Sequence, residues 1–147
     1  MRSDPIFLTM TTTHASAKPR PQFRNLNLSQ LVAYRLPPAG WVSIMHRASG
    51  AALFLLLPWL LWLFDLSLTS DLSFDRMREY ASHWLVKLVL LATVWALLHH
   101  LIAGIRYLLL DLHIGIGKQS STTSALWVYY VSLPLAVAAG LRLFGVI

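Results

Sequence analysis

The sequence predicts an all-α membrane protein that crosses a bilayer three times. Three observations predict it. The chain has 147 residues, 56% hydrophobic and only 12% charged, whereas soluble domains are roughly a quarter charged. Its apolar residues gather into three runs. Ala48 to Phe64 lies between Arg47 and Asp65, and Leu88 to Ile105 lies between Lys87 and Arg106. The third falls between Lys118 and Arg142 and is most apolar from Ala125 to Leu141. A helix rises about 1.5 Å per residue, so a hydrocarbon core of about 30 Å needs roughly 20 residues. Each run reaches that length with its flanks. One such run could be a buried helix of a soluble protein. Three leave too little polar sequence to wrap them in water.

In order along the chain, residues 1–40 form a cytoplasmic N-terminal segment and residues 41–147 a transmembrane domain. The spans are expected at about 41–65, 84–111 and 124–146. The start is polar, low in acid and contains Thr11-Thr12-Thr13, Pro19 and Pro21, which reads as a poorly ordered tail to about Phe23. Asn25 to Arg35 is expected as a short interfacial helix, with Leu28, Leu31 and Val32 on its apolar side. Pro37-Pro38-Ala39-Gly40 then breaks the chain. The first run begins too far along to be a removed signal peptide. In the third span, Trp127, Tyr129 and Tyr130 read as an interface belt, Pro134 as a kink and Gly140 as a close helix contact.

There is no cysteine, which excludes disulfides, zinc–thiolate and iron–sulfur sites built from this chain alone. The net charge of +6 comes without a basic stripe interleaved with aromatics, so no nucleic-acid partner is expected. The charge speaks for orientation instead. Arg2, Lys18, Arg20, Arg24, Arg35 and Arg47 precede the first span, and Arg106 and Lys118 flank the second connection. Opposite them stand Arg76, Arg78, Lys87 and Arg142. Eight against four places the N-terminus in the cytoplasm. The opening residues include Asp4 and do not read as an Arg-rich, acid-free presequence. A bacterial inner membrane is therefore expected.

Polar groups at membrane depth cost free energy and usually serve a site. Ser43 and Arg47 are four apart at the start of the first helix and share a face, with His46 on its flank. An ordinary helix start, with Arg47 snorkelling to lipid phosphates, is the plainer alternative. In the second helix His100, Gly104, Tyr107 and Asp111 are spaced four, three, four, which makes one stripe. His99 and Arg106 form a neighbouring stripe. A histidine this deep needs a hydrogen-bond partner or a metal. Gly104 clears space one turn from His100 for a large planar ligand. Periodicity alone leaves His99 open as the ligand. Antiparallel helices bring Arg47 and Arg106 to similar depth, with His100 about 9 Å deeper. A haem held by His100 could then turn its propionates towards Arg47 and His46.

The residues Arg24-Asn25-Leu26-Asn27-Leu28, Tyr34-Arg35-Leu36-Pro37 and Ser43-Ile44-Met45-His46-Arg47-Ala48-Ser49-Gly50 resemble the N-terminal signature of the succinate dehydrogenase cytochrome b556 subunit family. His100-x-x-x-Gly104-Ile105-Arg106, followed by Asp111, resembles its second signature. The resemblance covers about Arg24 to Ile147. It implies a three-span anchor that forms half of a helical bundle with a second membrane anchor subunit. The pair would carry a flavoprotein subunit and an iron–sulfur subunit, and such complexes are candidates to form trimers. Residue by residue, it implies that His100 is one axial ligand of the haem b iron, with the other from the sister anchor. It implies that Ser43 and Arg47 lie at the ubiquinone pocket and that His46, Arg47 and Arg106 lie near the haem. No residue of this chain is expected to be catalytic by itself. The family often has His where this chain has Tyr107, which puts a propionate contact there in question. Two alternatives stay open: the anchor of a fumarate reductase, and a cofactor-free membrane scaffold.

Overall fold

The computed structural model describes residues 35–146. All but Arg35 of the expected interfacial helix, and the whole N-terminal tail, lie outside that range. Four helices follow one another: α1 (Pro38–Thr69), α2 (Asp71–Ser82), α3 (Trp84–Asp111) and α4 (Lys118–Leu143). Among the described residues there is no strand.

α1 starts on the proline pair. Pro37 is extended at the N-cap and Pro38 occupies the first turn, where a missing N–H costs nothing and φ is already helical. The helix runs 32 residues, through Pro58. It stops at Ser70, whose backbone is extended. Ser70 caps α2: its hydroxyl accepts from the Ser73 amide at 3.2 Å, and the Ser73 hydroxyl accepts from the Ser70 amide at 2.9 Å. This reciprocal cap starts a helix within what the apolar runs alone mark as a connection. α2 has no buried residue and rests on the end of α1 through the Trp62–Tyr80 edge contact at 5.5 Å. His83 then caps α3 by accepting from the Leu85 amide at 3.3 Å.

α4 begins six residues before the expected start of the third span, at Lys118. The stretch Lys118 to Ser124 is polar, yet its hydroxyls fold back on the helix. Thr122 donates to the Lys118 carbonyl at 2.9 Å and Ser124 to the Ser121 carbonyl at 3.1 Å. Between α3 and α4 the chain turns through His113 and Gly115, both at positive φ.

α1, α3 and α4 pack against one another. Their seam is built from small residues: Ala96 and Ala103 on α3, and Ala125, Ser132, Ala136 and Gly140 on α4, are all buried. At Gly140 an added Cβ would stand 3.1 Å from Leu91 Cδ1. Helices in lipid gain little from burying apolar surface, so close backbone approach through small side chains holds them together. The outer faces are correspondingly apolar and open: Phe54 and Leu55 are each 75% exposed. All three long helices are long and apolar enough to cross a bilayer. The protein is a multi-pass membrane protein.

Candidate functional site: a histidine pair between two helices

Two consecutive histidines on α3 have opposite surroundings. His99 faces inward and is fully buried. Its ring sits 5.4 Å from Trp95 and 5.4 Å from Tyr129, and among the described residues neither ring nitrogen meets a partner in hydrogen-bond geometry. Helical rise turns His100 by about 100°, onto the side where α1 passes. There the ring is half-buried and stacks on His46 with centroids 4.0 Å apart and planes 10° from parallel.

The His100 ring is held through one nitrogen. Nδ1 lies 3.0 Å from the His46 carbonyl oxygen and 3.3 Å from the Ser49 hydroxyl. A carbonyl can only accept, so the shorter contact requires the proton on Nδ1. The Ser49 hydroxyl donates to that same carbonyl at 2.9 Å. Among the described residues Nε2 makes no hydrogen bond, and in this tautomer it carries the free lone pair. Gly50 makes the arrangement fit: a Cβ there would stand 2.7 Å from His100 Cε1 and 3.2 Å from Nδ1. Gly104 faces the second ring, but a Cβ there would lie 3.6 Å from His46 Nε2, an ordinary contact that the site could accept.

Further towards the helix ends, Tyr107 lies 5.2 Å from the His46 ring, and its buried hydroxyl has no partner among the described residues. Arg47 is exposed and folds back on its own helix. Its Nη2 donates to the Ser43 hydroxyl at 3.2 Å and its Nε to the Ser43 carbonyl at 3.3 Å. Ser43, His46 and Arg47 stand together at the start of α1, and of these only His46 is seen to meet His100 on α3. Arg106 does not join them. Its guanidinium turns to the start of α4, donating to Ser124 Oγ and to the carbonyl and hydroxyl of Ser121, all at 3.0 Å.

Ser49 and Gly50 were quoted in the sequence motif without a task, and the structure gives each one. Both lie within a turn of His46, on the helix side that meets α3. Spacing alone did not say that α3 would cross there.

The residues fit a haem at His100. A metal-bound histidine almost always donates its other ring N–H to a carbonyl, carboxylate or water, which fixes its tautomer. The Nδ1 contact to His46 has that form. Among the described residues no three His, Cys, Asp or Glu side chains converge on one point, so an iron at His100 would need its remaining ligands from a porphyrin and another chain. His99, sealed between Trp95 and Tyr129, has no open side for a macrocycle.

Three packed helices, each long and apolar enough to cross a bilayer, define the class, a multi-pass helical membrane protein. Its family is defined by sequence. The chain belongs to the succinate dehydrogenase/fumarate reductase transmembrane subunit family, whose profile matches residues 16–139. It is 36% identical to the succinate dehydrogenase cytochrome b556 subunit of Coxiella burnetii over 119 residues, 80% of this chain and 94% of that protein. The subunit of the same name in Paracoccus denitrificans is 34% identical over 107 residues, 73% of this chain and 82% of its own length. That of Rickettsia felis is 30% identical over 108 residues, covering 73% and 83%.

Proposed function

We propose that this chain is the haem b- and quinone-binding anchor subunit of a succinate dehydrogenase, passing electrons from an iron–sulfur subunit to ubiquinone. The observation that carries this reading is the His100 ring, tied through Nδ1 to the His46 carbonyl at 3.0 Å with Nε2 free on a half-buried face. Haem bound there would supply a one-electron relay. This chain's own part is to fix the imidazole and to set charge around it. Ser49 and the His46 carbonyl lock the ring, and Gly50 leaves room for it. His46 and Arg47 would meet the haem propionates, and a sister anchor subunit would supply the remaining protein ligand. A histidine there would saturate the iron and suit electron transfer rather than oxygen binding.

Quinone would bind nearer the membrane edge. The Ser43 hydroxyl and the Arg47 guanidinium already face each other at 3.2 Å. Both can donate to one quinone carbonyl and stabilise the charge that builds on it during reduction. Succinate loses two electrons and two protons on the flavoprotein, and the quinone gains the same number here, so the balance closes across the complex. The relatives named above favour succinate oxidation over the reverse direction.

The N-terminus is assigned to the cytoplasm of a bacterial cell, across whose inner membrane the three helices pass. A reporter fused after Ile147 should be active only outside the cytoplasm, and cytoplasmic activity would move the quinone site to the wrong side. The function itself is tested by a reduced-minus-oxidised absorbance spectrum of the purified complex. A b-type signal in stoichiometric amount is expected, and its absence would leave a cofactor-free scaffold. Gly50→Ala probes the same site gently. Its Cβ would overlap His100 Cε1 at 2.7 Å, so the ring must shift, at a cost of about 1–3 kcal/mol. The expected result is a perturbed haem spectrum with assembly intact. An unchanged spectrum would mean that the ring need not stay where it stands.

A further inference from the structure

Arg106 is only 6% exposed and carries a charge at membrane depth, where an unpaired cation is costly. Its hydrogen bonds among the described residues go to Ser121 and Ser124, none to a carboxylate, and its Nη1 makes none. Among the described residues it therefore has donors tied in place but no counter-charge. Beside it α4 begins after Gly117 without a side-chain cap, so the free N–H groups of that first turn add positive potential at the same point.

The two face a groove of about 340 Å³ between α3 and α4. Its mouth is at Gly115 and Ser120, and it descends past Leu109, Ile105 and Trp127 to Val131. Val131 is 11 residues beyond Ser120 along α4, about 17 Å below the mouth. Ile105, Leu109, Trp127 and Val131 are all exposed. A buried cation and a helix start at the membrane edge, with an apolar channel running down from them, match one ligand chemistry. That ligand has a phosphate at one end and an acyl chain at the other. A free phosphate would leave the channel unused, and a neutral quinone would leave the charge unpaired.

The groove also lies away from the histidine site. Ile102, Ile105 and Leu109 fall roughly 140–200° around α3 from His100. A sister subunit on the His100 side would leave it open to lipid. That last step rests on the proposed function; the groove and its charge do not. We propose that the α3–α4 groove holds one anionic phospholipid, its phosphate bound by Arg106 and the first turn of α4.

The test uses the whole complex purified in detergent, as wild type, Arg106→Gln and Ser120→Glu. Phosphatidylglycerol or phosphatidylcholine is added back, and lipid bound per complex is read by native mass spectrometry. Wild type should hold one phosphatidylglycerol at least roughly tenfold more tightly than phosphatidylcholine, as a charge-assisted contact allows. Ser120→Glu sets a carboxylate at the mouth and should abolish that preference, with the haem spectrum and quinone reduction at wild-type level. Those readouts are separate, so failure of the haem assignment and failure of the lipid site are distinguishable. If Arg106→Gln fails to assemble, Ser120→Glu still decides. Equal binding of the two lipids, or a preference that survives Ser120→Glu, overturns the proposal. So does a quinone retained in place of the lipid.

Discussion

Replacing His100 with leucine should convert a low-spin haem into one with an open or substituted axial position, and His99→Leu should not. Both changes put an apolar side chain into an apolar helix, so neither adds a polar group to the bilayer. What they remove is different. His100 presents Nε2 to a half-buried face, with Nδ1 held 3.0 Å from the His46 carbonyl. His99 is sealed between Trp95 and Tyr129, with no hydrogen bond within the usual distance and angle limits at either nitrogen among the described residues. The measurement is the visible spectrum and carbon monoxide binding of each variant, purified with its partner chains. Altered spin state or new carbon monoxide binding in His100→Leu alone is the expected outcome. Haem content by itself does not decide, because one remaining ligand can retain the group. Loss of the normal spectrum in His99→Leu, with His100→Leu normal, would transfer the ligand to the buried histidine. No change in either would take haem ligation away from this chain.

This contrast between neighbours also marks how far the sequence could be read. The three spans were legible because hydrocarbon thickness sets a length that only a few segments can meet. The choice between His99 and His100 rested on the single four-residue step to Gly104. The structure adds a physical basis the spacing lacked: Gly50, from another helix, makes room for the His100 ring. Such a fact depends on where two helices cross, and no local pattern encodes it. Arg106 is the instructive case. Its depth matches that of Arg47, and the family resemblance implies a place for both near the haem. Depth does not fix azimuth, and about 100° per residue is enough to turn Arg106 from α1 to α4. The polar stretch before Ala125 falls outside the apolar run that marks the third span, and its serines and threonines are poor helix formers in isolation. Arg106, bonded to Ser121 and Ser124, ties that first turn to α3. α2 was missed for a related reason: its cap is a serine pair, Ser70 and Ser73, without the usual acid or amide at the third position.

Arg47→Leu and Ser43→Ala should each cut quinone reduction sharply and leave electron transfer to an artificial dye nearly intact. The dye takes electrons from the soluble subunits, so it reports the flavin and iron–sulfur centres without the membrane site. Arg47 is exposed and its only hydrogen bonds among the described residues go to Ser43. Removing either side chain therefore exposes no buried unpaired group, and helix packing should persist. The pair is already aligned, Nη2 3.2 Å from the hydroxyl, so a quinone carbonyl arriving at that edge meets two donors in place. Losing a charge-assisted hydrogen bond costs about 1.5–3 kcal/mol, or roughly 10- to 150-fold in rate or affinity. Arg47→Leu should sit at the upper end of that range and Ser43→Ala at the lower. Arg47→Lys should recover part of the loss, since it restores charge without the fork that spans hydroxyl and carbonyl. Steady-state assays with a soluble quinone and with the dye, on the same preparations, read both quantities. Parallel loss of the two activities would point to failed assembly, and unchanged quinone kinetics in both variants would remove Ser43 and Arg47 from the pocket.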